Sequence, residues 1–166
     1  MPDITVSIGS NIDPEHNIRR AIKELRAEFG ELEISPVYQT EAVGFDGDDF
    51  LNLVVSFKTD KPVQTVAHEL KSIEDLIGRD RSQARFSARL IDLDLLTCDD
   101  LILDQSGIQI PRHEILQNAF VLKPLSDIFA QGVHPVNGQT YADLWSEMQQ
   151  QAARIDRYEL ELPDKK

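Results

Sequence analysis

Cysteine, positive charge and long apolar runs are all scarce in this sequence. The single cysteine, Cys98, excludes an intrachain disulfide and a metal cluster built on cysteines. Lysine and arginine number 17 against 29 aspartates and glutamates, which gives a formal charge of -12. Nucleic acids and anionic membranes require an extended positive surface, so we expect neither as a partner.

Targeting and membrane signals are also missing. The first residues, MPDITVSIGSN, contain neither a basic region nor a long apolar stretch. No segment approaches the ~20 apolar residues of a membrane span. We therefore expect a cytoplasmic protein, and its 166 residues suit one domain with an adequate core.

Two common phosphate-binding loops are absent. The sequence has no G-x-x-x-x-G-K-[ST], and no G-x-G-x-x-G opens a helix after a strand. If a nucleotide binds, side chains and a metal must therefore hold its phosphates. The four histidines are dispersed without the spacing of metal ligands, and His113, beside Arg112, is the candidate among them for a phosphate site.

The spacing of apolar residues predicts the fold class. It predicts, in order, a strand over residues 4–8, a helix over 13–29, strands over 32–40 and 50–58, a helix over 62–77 and a strand over 90–96. This order predicts an α+β fold with a ferredoxin-like βαββαβ core, in which both helices pack on an antiparallel sheet.

Local signals refine the ends of these elements. We expect Asp13 to cap the first helix and Gly78 to end the second. Additional C-terminal elements should include a helix capped by Thr140, followed by a charged tail over residues 159–166 that frays.

The stretch between residues 79 and 96 joins basic and apolar sequence. Its first part, residues 79–89, holds four arginines and one aspartate, for a formal charge of +3. Its second part is an apolar strand interrupted by Asp92 and Asp94, whose side chains point to the same face because they are two residues apart. An anion is expected beside the arginines.

Two neighbouring carboxylates on a mostly buried strand repel each other and lose solvation. A divalent metal is the simplest compensation, and Mg²⁺ typically takes one or two carboxylates together with water and substrate phosphates. The arginines could grip the same phosphates. The alternative is an interaction module in which the carboxylates pair only with the arginines.

Two further polar residues have alternative interpretations. Asn52 shares a strand face with Val54 and Ser56, where its amide could bind a polar heterocycle or serve only as a structural hydrogen-bonding group. Glu74, on the second predicted helix, could face solvent or the arginines.

Six segments carry a resemblance that spans nearly the whole chain. They are IGSN at 8–11, YQTEAVGF at 38–45, FLN at 50–52, IEDLIGRDR at 73–81, RLIDLDLL at 89–96 and FVLKPL at 120–125. In this order and spacing they resemble the 6-hydroxymethyl-7,8-dihydropterin pyrophosphokinase family. The resemblance implies a single domain over residues 1–166 that moves pyrophosphate from ATP to a pterin in folate biosynthesis and releases AMP.

The resemblance also implies roles for matching residues. Asp92 and Asp94 would be the ligands of two Mg²⁺ ions, and Arg79 and Arg89 would be catalytic. The pterin contacts would be Thr40, Phe45, Asn52 and Phe120. The nucleotide contacts would be Glu74, Arg81 and either Arg112 or His113. The loops over residues 41–49 and 80–88 would close over small-molecule substrates, and we expect a monomer.

Several positions depart from the family pattern. Ser87-Ala88 stands where the family usually has Gly-Pro, Arg112 follows Pro111 where a histidine is usual, and Asn118 stands where an arginine is common. These departures keep open the alternative of a non-catalytic paralogue that binds pterin or nucleotide in a regulatory role.

Overall fold

The computed structural model describes residues 1–40, 49–79, 90–150 and 155–162, with Arg79 described by its backbone alone. Its elements are β1 (Asp3–Ser10), α1 (Pro14–Phe29), β2 (Glu33–Ile34), β3 (Val37–Thr40), β4 (Phe50–Lys58), α2 (Val63–Arg79), β5 (Asp92–Cys98), β6 (Leu103–Gln105), β7 (Ile108–Ile110), a 3-10 turn (His113–Leu116), α3 (Ala119–Ile128), α4 (Tyr141–Met148) and β8 (Asp156–Tyr158). In these residues no helix is long and apolar enough to cross a membrane.

An antiparallel sheet organises these elements. The strand order is β5-β1-β4-β3-β8, and β2 pairs with β4 outside this path. Strands β6 and β7 form a separate hairpin. The main strands and the first two helices follow the order βαββαβ, so the ferredoxin-like α+β fold predicted from the sequence is confirmed.

The two faces of the sheet carry different cores. Leu53 and Val55 pack with residues of α1 and α2 on one face. Val54 and Leu96 pack with residues of α3 and α4 on the other face. Alternation along β4 therefore leaves Asn52 on the α3 face, where the sheet and α3 enclose the cavity described below.

The segment predicted as one strand over residues 32–40 is two short strands. At the break, the Ser35 N–H donates to the Val54 carbonyl at 2.9 Å, and the Val54 N–H donates to the Ser35 hydroxyl oxygen at 2.9 Å. A side-chain oxygen thus replaces a backbone carbonyl in the ladder. Pro36 has no N–H to continue it, and β3 begins at Val37.

The helix ends differ in detail from the prediction. Helix α1 begins after Asp13 as expected, but Asp13 adopts φ 41 and ψ 53 and its side chain makes no cap hydrogen bond. Its backbone carbonyl instead accepts from the Asn17 N–H at 3.0 Å. Helix α2 continues through Gly78 to Arg79, the last described residue of this segment, so Gly78 does not end it. A glycine inside a helix costs only about 1 kcal/mol, which packing readily offsets.

The C-terminal region contains more structure than the sequence suggests. Strand β8 pairs with β3, with Tyr158 opposite Val37. Residues 159–162 of the predicted fraying tail are described and pack: Leu162 is partly buried against the core, and the Glu161 carbonyl accepts from Arg19 Nε at 2.7 Å. The Thr140 cap of α4 is confirmed, since its hydroxyl accepts from the backbone of the first turn at 3.1 Å.

Candidate active site

A cavity of about 420 Å³ lies between the sheet and the beginning of α3. Its lining comes from β1, β3, β4, β5, the 3-10 turn and α3, and comprises Ser7, Ile8, Gly9, Thr40, Phe50, Asn52, Asp92, Asp94, Arg112, Glu114, Asn118, Phe120 and Val121. One end is therefore charged and the other combines aromatic rings with amide and hydroxyl groups.

The two aspartates of β5 are brought together as the sequence predicts. Asp92 and Asp94 both line the cavity, and both are half-buried. They pair with Gly9 and Ser7 of the interior strand β1, respectively. Each carboxylate therefore rises from an edge strand beside a small residue, which leaves space above β1 for a ligand.

Arg112 supplies positive charge at this end of the cavity. Its Nη2 lies 3.7 Å from Asp94 Oδ1, and its Nε donates to Glu114 Oε2 at 2.8 Å. The backbone N–H of Arg112 donates to the Leu96 carbonyl at 3.0 Å, which ties the loop to β5. A guanidinium between two carboxylates is positioned to meet an anion that displaces either partner.

His113 takes a different direction from Arg112. It is exposed, and its ring Nε2 lies 2.7 Å from the side-chain nitrogen of Gln109. Of the two residues that the sequence offered for this position, the structure therefore places Arg112 in the lining of the cavity.

Asn52 and Thr40 form the polar part of the other end. Asn52 is 7% exposed, and its Nδ2 donates to Thr40 Oγ1 at 3.2 Å. The remaining N–H and the carbonyl of the amide, together with the Thr40 hydroxyl proton, are the groups with which this end can recognise a ligand.

Phe50 and Phe120 line the same end from opposite elements. Phe120 comes from α3 and matches a predicted pterin contact, whereas Phe50 on β4 was missed by the sequence analysis. The signal was available, because Phe50 lies two residues before Asn52 on the same face of a strand. Two aromatic side chains around one cavity suit a flat ring.

Glu74 lies behind the aspartate pair, on α2. Its Oε2 accepts a hydrogen bond from the Leu93 N–H at 2.7 Å, and Leu93 is the residue between Asp92 and Asp94. Burial raises the pKa of Glu74, the Leu93 hydrogen bond lowers it, and the charge on Asp92 raises it further. Because β5 is an edge strand among the described residues, Glu74 supplies an acceptor on the side where no described strand does.

Several predicted site residues lie outside the described part of the chain. Phe45, Arg81 and Arg89 belong to the two undescribed segments, and the Arg79 side chain is likewise not described. The assignments of these residues stay predictions.

The donor set of the cavity fits a hard divalent cation that is bound jointly with a ligand. Among the described residues, no group of three or more His, Cys, Asp or Glu side chains could hold a metal ion. Asp92 and Asp94 offer carboxylate oxygens on one face, half-exposed to the cavity. Mg²⁺ is commonly held by one or two carboxylates together with phosphate oxygens, so this pair suits a magnesium–nucleotide complex.

Sequence comparison identifies relatives of this chain. The sequence model of the family described as 7,8-dihydro-6-hydroxymethylpterin-pyrophosphokinase (HPPK) matches residues 5–130. The 2-amino-4-hydroxy-6-hydroxymethyldihydropteridine pyrophosphokinase of Aquifex aeolicus is 32% identical over 139 residues, which cover 82% of this chain and 86% of the relative. The enzyme of the same name from a Synechocystis strain is 33% identical over 142 residues, with 84% and 72% covered.

Structural comparison agrees on the fold. The crystal structure of wild-type Plasmodium falciparum HPPK-DHPS superposes with a TM-score of 0.71 at 14% identity and covers 94% of this chain. This chain spans about half of that longer protein, 48% of its length. Identity this low supports the fold alone, whereas the match over residues 5–130 and the similarity to whole bacterial enzymes establish the family. The chain belongs to the 7,8-dihydro-6-hydroxymethylpterin-pyrophosphokinase family.

Proposed function

We propose that the cavity between the sheet and α3 is where this chain transfers pyrophosphate from ATP to 6-hydroxymethyl-7,8-dihydropterin. The products are AMP and the pterin diphosphate, and the reaction belongs to folate biosynthesis. Both substrates, ATP and the pterin, are small molecules. We also propose that the chain is a cytoplasmic monomer. Sedimentation of the purified chain would test the monomeric state.

One row of the sheet carries this proposal. Asn52 on β4 and Asp92 on β5 are both paired with Gly9 on β1, so all three face the cavity. Two strand spacings separate Asn52 from Asp92, which is about 10 Å. The proposed pterin contact and the proposed metal ligand thus lie on one surface, at a separation that a bicyclic ring with a hydroxymethyl arm can bridge.

The polar and aromatic end suits the pterin. A pterin presents hydrogen-bond donors and acceptors along one edge and two flat faces, which match the Asn52 amide, the Thr40 hydroxyl and the rings of Phe50 and Phe120. We place the ring there with its hydroxymethyl group directed along β1 toward Asp92.

The charged end suits the triphosphate. Asp92 and Asp94 would hold Mg²⁺, two ions in our proposal, with phosphate oxygens completing the coordination. Bound there, magnesium neutralises charge on the phosphates and helps to align them. Arg112 is positioned to exchange Asp94 for a phosphate oxygen. From the family resemblance we assign Arg79 and Arg89 to the transfer step, and Arg81 and Glu74 to the surroundings of the nucleotide.

The chemical step needs positioning more than a protein nucleophile. The pterin hydroxymethyl oxygen attacks the β-phosphorus of ATP and releases its proton to solvent, while the bond from that phosphorus to the oxygen bridging the α-phosphate breaks and AMP leaves. Guanidinium groups beside the phosphates stabilise the charge that accumulates on the transferred group.

The test is the identity of the nucleotide product. The purified chain with ATP, Mg²⁺ and 6-hydroxymethyl-7,8-dihydropterin should form AMP and pterin diphosphate in equal amounts, resolved by ion-exchange chromatography. Omitting the pterin or adding EDTA should abolish both products. Formation of ADP, or binding of both substrates without any AMP, would contradict the proposal, and the second result would favour the non-catalytic paralogue.

A further inference from the structure

Gly9 lines the cavity, and it has no role in the mechanism proposed above. It lies on the interior strand β1, with Asn52 of β4 on one side and Asp92 of β5 on the other. It is half-exposed and lines the cavity. The residue thus separates the two ends of the proposed site.

The backbone does not explain why this position is a glycine. Among the described glycines, those with positive φ are Gly30, Gly107 and Gly138, and Gly9 is not one of them. Gly9 has strand partners on both sides, so its backbone is one that any residue with a side chain can adopt. Glycine weakens a strand interior and often marks a place where another group approaches closely.

The close neighbour of Gly9 is the Asn52 amide. A β-carbon added at Gly9 would lie 2.9 Å from Asn52 Oδ1 and 4.0 Å from its Cγ. The Asn52 carbonyl therefore leans over β1, while its nitrogen is held on the other side by Thr40 Oγ1. Asn52 is 7% exposed, so its amide has little room to move aside.

We propose that Gly9 is a positioning residue for the pterin, because its missing side chain lets the Asn52 amide lie across β1 in the orientation that recognises the ring. This inference rests on the proposed function, in which Asn52 contacts the pterin. A methyl group at position 9 pushes Asn52 Oδ1 out of that orientation, and Asp92, two strands from Asn52, keeps its place. Pterin affinity should therefore suffer, and ATP affinity should not.

The experiment compares Gly9→Ala with the unaltered chain by calorimetric titration of the pterin and, separately, of magnesium–ATP. Gly9→Ala should weaken pterin binding by about two- to tenfold, the effect of one ordinary hydrogen bond, and change ATP binding by less than about twofold. Gly78→Ala is the matched control, because a β-carbon at Gly78 meets none of the described residues within 4 Å. It should leave pterin binding unchanged.

A double variant separates this role from damage to the fold. In the Asn52→Ala background there is no amide for the new methyl group to displace, so adding Gly9→Ala should weaken pterin binding no further. An equal loss in both backgrounds would overturn the inference, and so would unchanged pterin binding by folded Gly9→Ala. Failure of the unaltered chain to bind pterin would instead refute the proposed function, so the two failures are distinguishable.

Discussion

Removing the Glu74 carboxylate should loosen the strand that carries the two aspartates. The Leu93 N–H donates to Glu74 Oε2 at 2.7 Å, and in Glu74→Ala it loses this acceptor. Leu93 is 5% exposed, so water cannot easily replace the lost partner. Glu74→Gln keeps an acceptor oxygen on a side chain of the same length and removes only the charge.

The size of the effect follows from two opposing contributions. A hydrogen bond to a charged group is worth about 1.5–3 kcal/mol, and the Glu74 side chain here is 16% exposed. Against this, the charge on Glu74 is disfavoured by its burial and by Asp92 and Asp94, so its removal recovers part of the loss. We expect a net loss of about 1–2 kcal/mol for Glu74→Ala, or about 3–6 °C in melting temperature. Glu74→Gln should lie within about 1 kcal/mol of the unaltered chain.

Thermal melting and steady-state kinetics together test this reasoning. Glu74→Ala should lower kcat because Asp92 and Asp94 lose a backbone anchor, and Glu74→Gln should keep most of it. Lys71→Ala is the control, since Lys71 is 69% exposed and its ion pair with Glu74, at 3.7 Å, should contribute little. Glu74→Gln and Glu74→Ala could instead raise the KM for ATP equally, with neither variant changing the melting temperature. That result would mean that Glu74 contacts the nucleotide directly and does not anchor β5.

Three further predictions concern the metal pair, the aromatic rings and a buried histidine. Asp94→Ala should reduce turnover on the order of a hundredfold or more without changing the melting temperature, because a metal ligand is lost. The control is Asp104→Ala, which changes an exposed aspartate of the β6–β7 hairpin and should keep full activity. Equal rates for the two variants would refute the assignment of Asp94 as a metal ligand. Phe50→Ala and Phe120→Ala should each raise the KM for the pterin about two- to tenfold, since an aromatic contact is worth about 0.5–1.5 kcal/mol. The KM for ATP should stay constant in both variants. If only Phe120→Ala raised the KM for the pterin, Phe50 would not belong to the pterin site. Burial lowers the pKa of His134, whose Nδ1 accepts backbone N–H groups at 3.0 and 3.3 Å. The folded chain therefore binds fewer protons than the unfolded chain below pH ~6.5, and stability should fall as the pH drops from there toward the folded-state pKa. Urea unfolding at pH 7.5 and 5.0 should show a smaller change in the free energy of unfolding for His134→Gln than for the unaltered chain. An equal change in the two proteins would contradict the role of His134.

The sequence predicts those parts of the structure that depend on neighbouring residues. In the helix predicted over residues 13–29, helical spacing puts Ile18, Ile22 and Leu25 on one face, and all three are fully buried. Alternation placed Asp92 and Asp94 on one face of β5, where both line the cavity. These features follow from local geometry, because the helix and strand periods fix which side chains share a face.

Contacts between residues that are far apart in the sequence could not be predicted from local patterns. The break at Ser35 depends on its hydrogen bonds with Val54, and β8 depends on pairing with the edge of β3. The Glu74 contact joins a helix to the backbone of an edge strand, which no apolar pattern signals. The choice between Arg112 and His113 likewise depends on where a loop leaves β7 relative to Asp94.

The position of β8 links the last described residues of the chain to the cavity. It covers the open side of β3, whose final residue is the cavity-lining Thr40. If β8 were removed, β3 would expose a row of unsatisfied donors and acceptors to which a second molecule could add a strand. The free edge of the sheet is instead β8, which has three residues and carries Asp156 and Arg157, so it should be a poorer template for such pairing than β3.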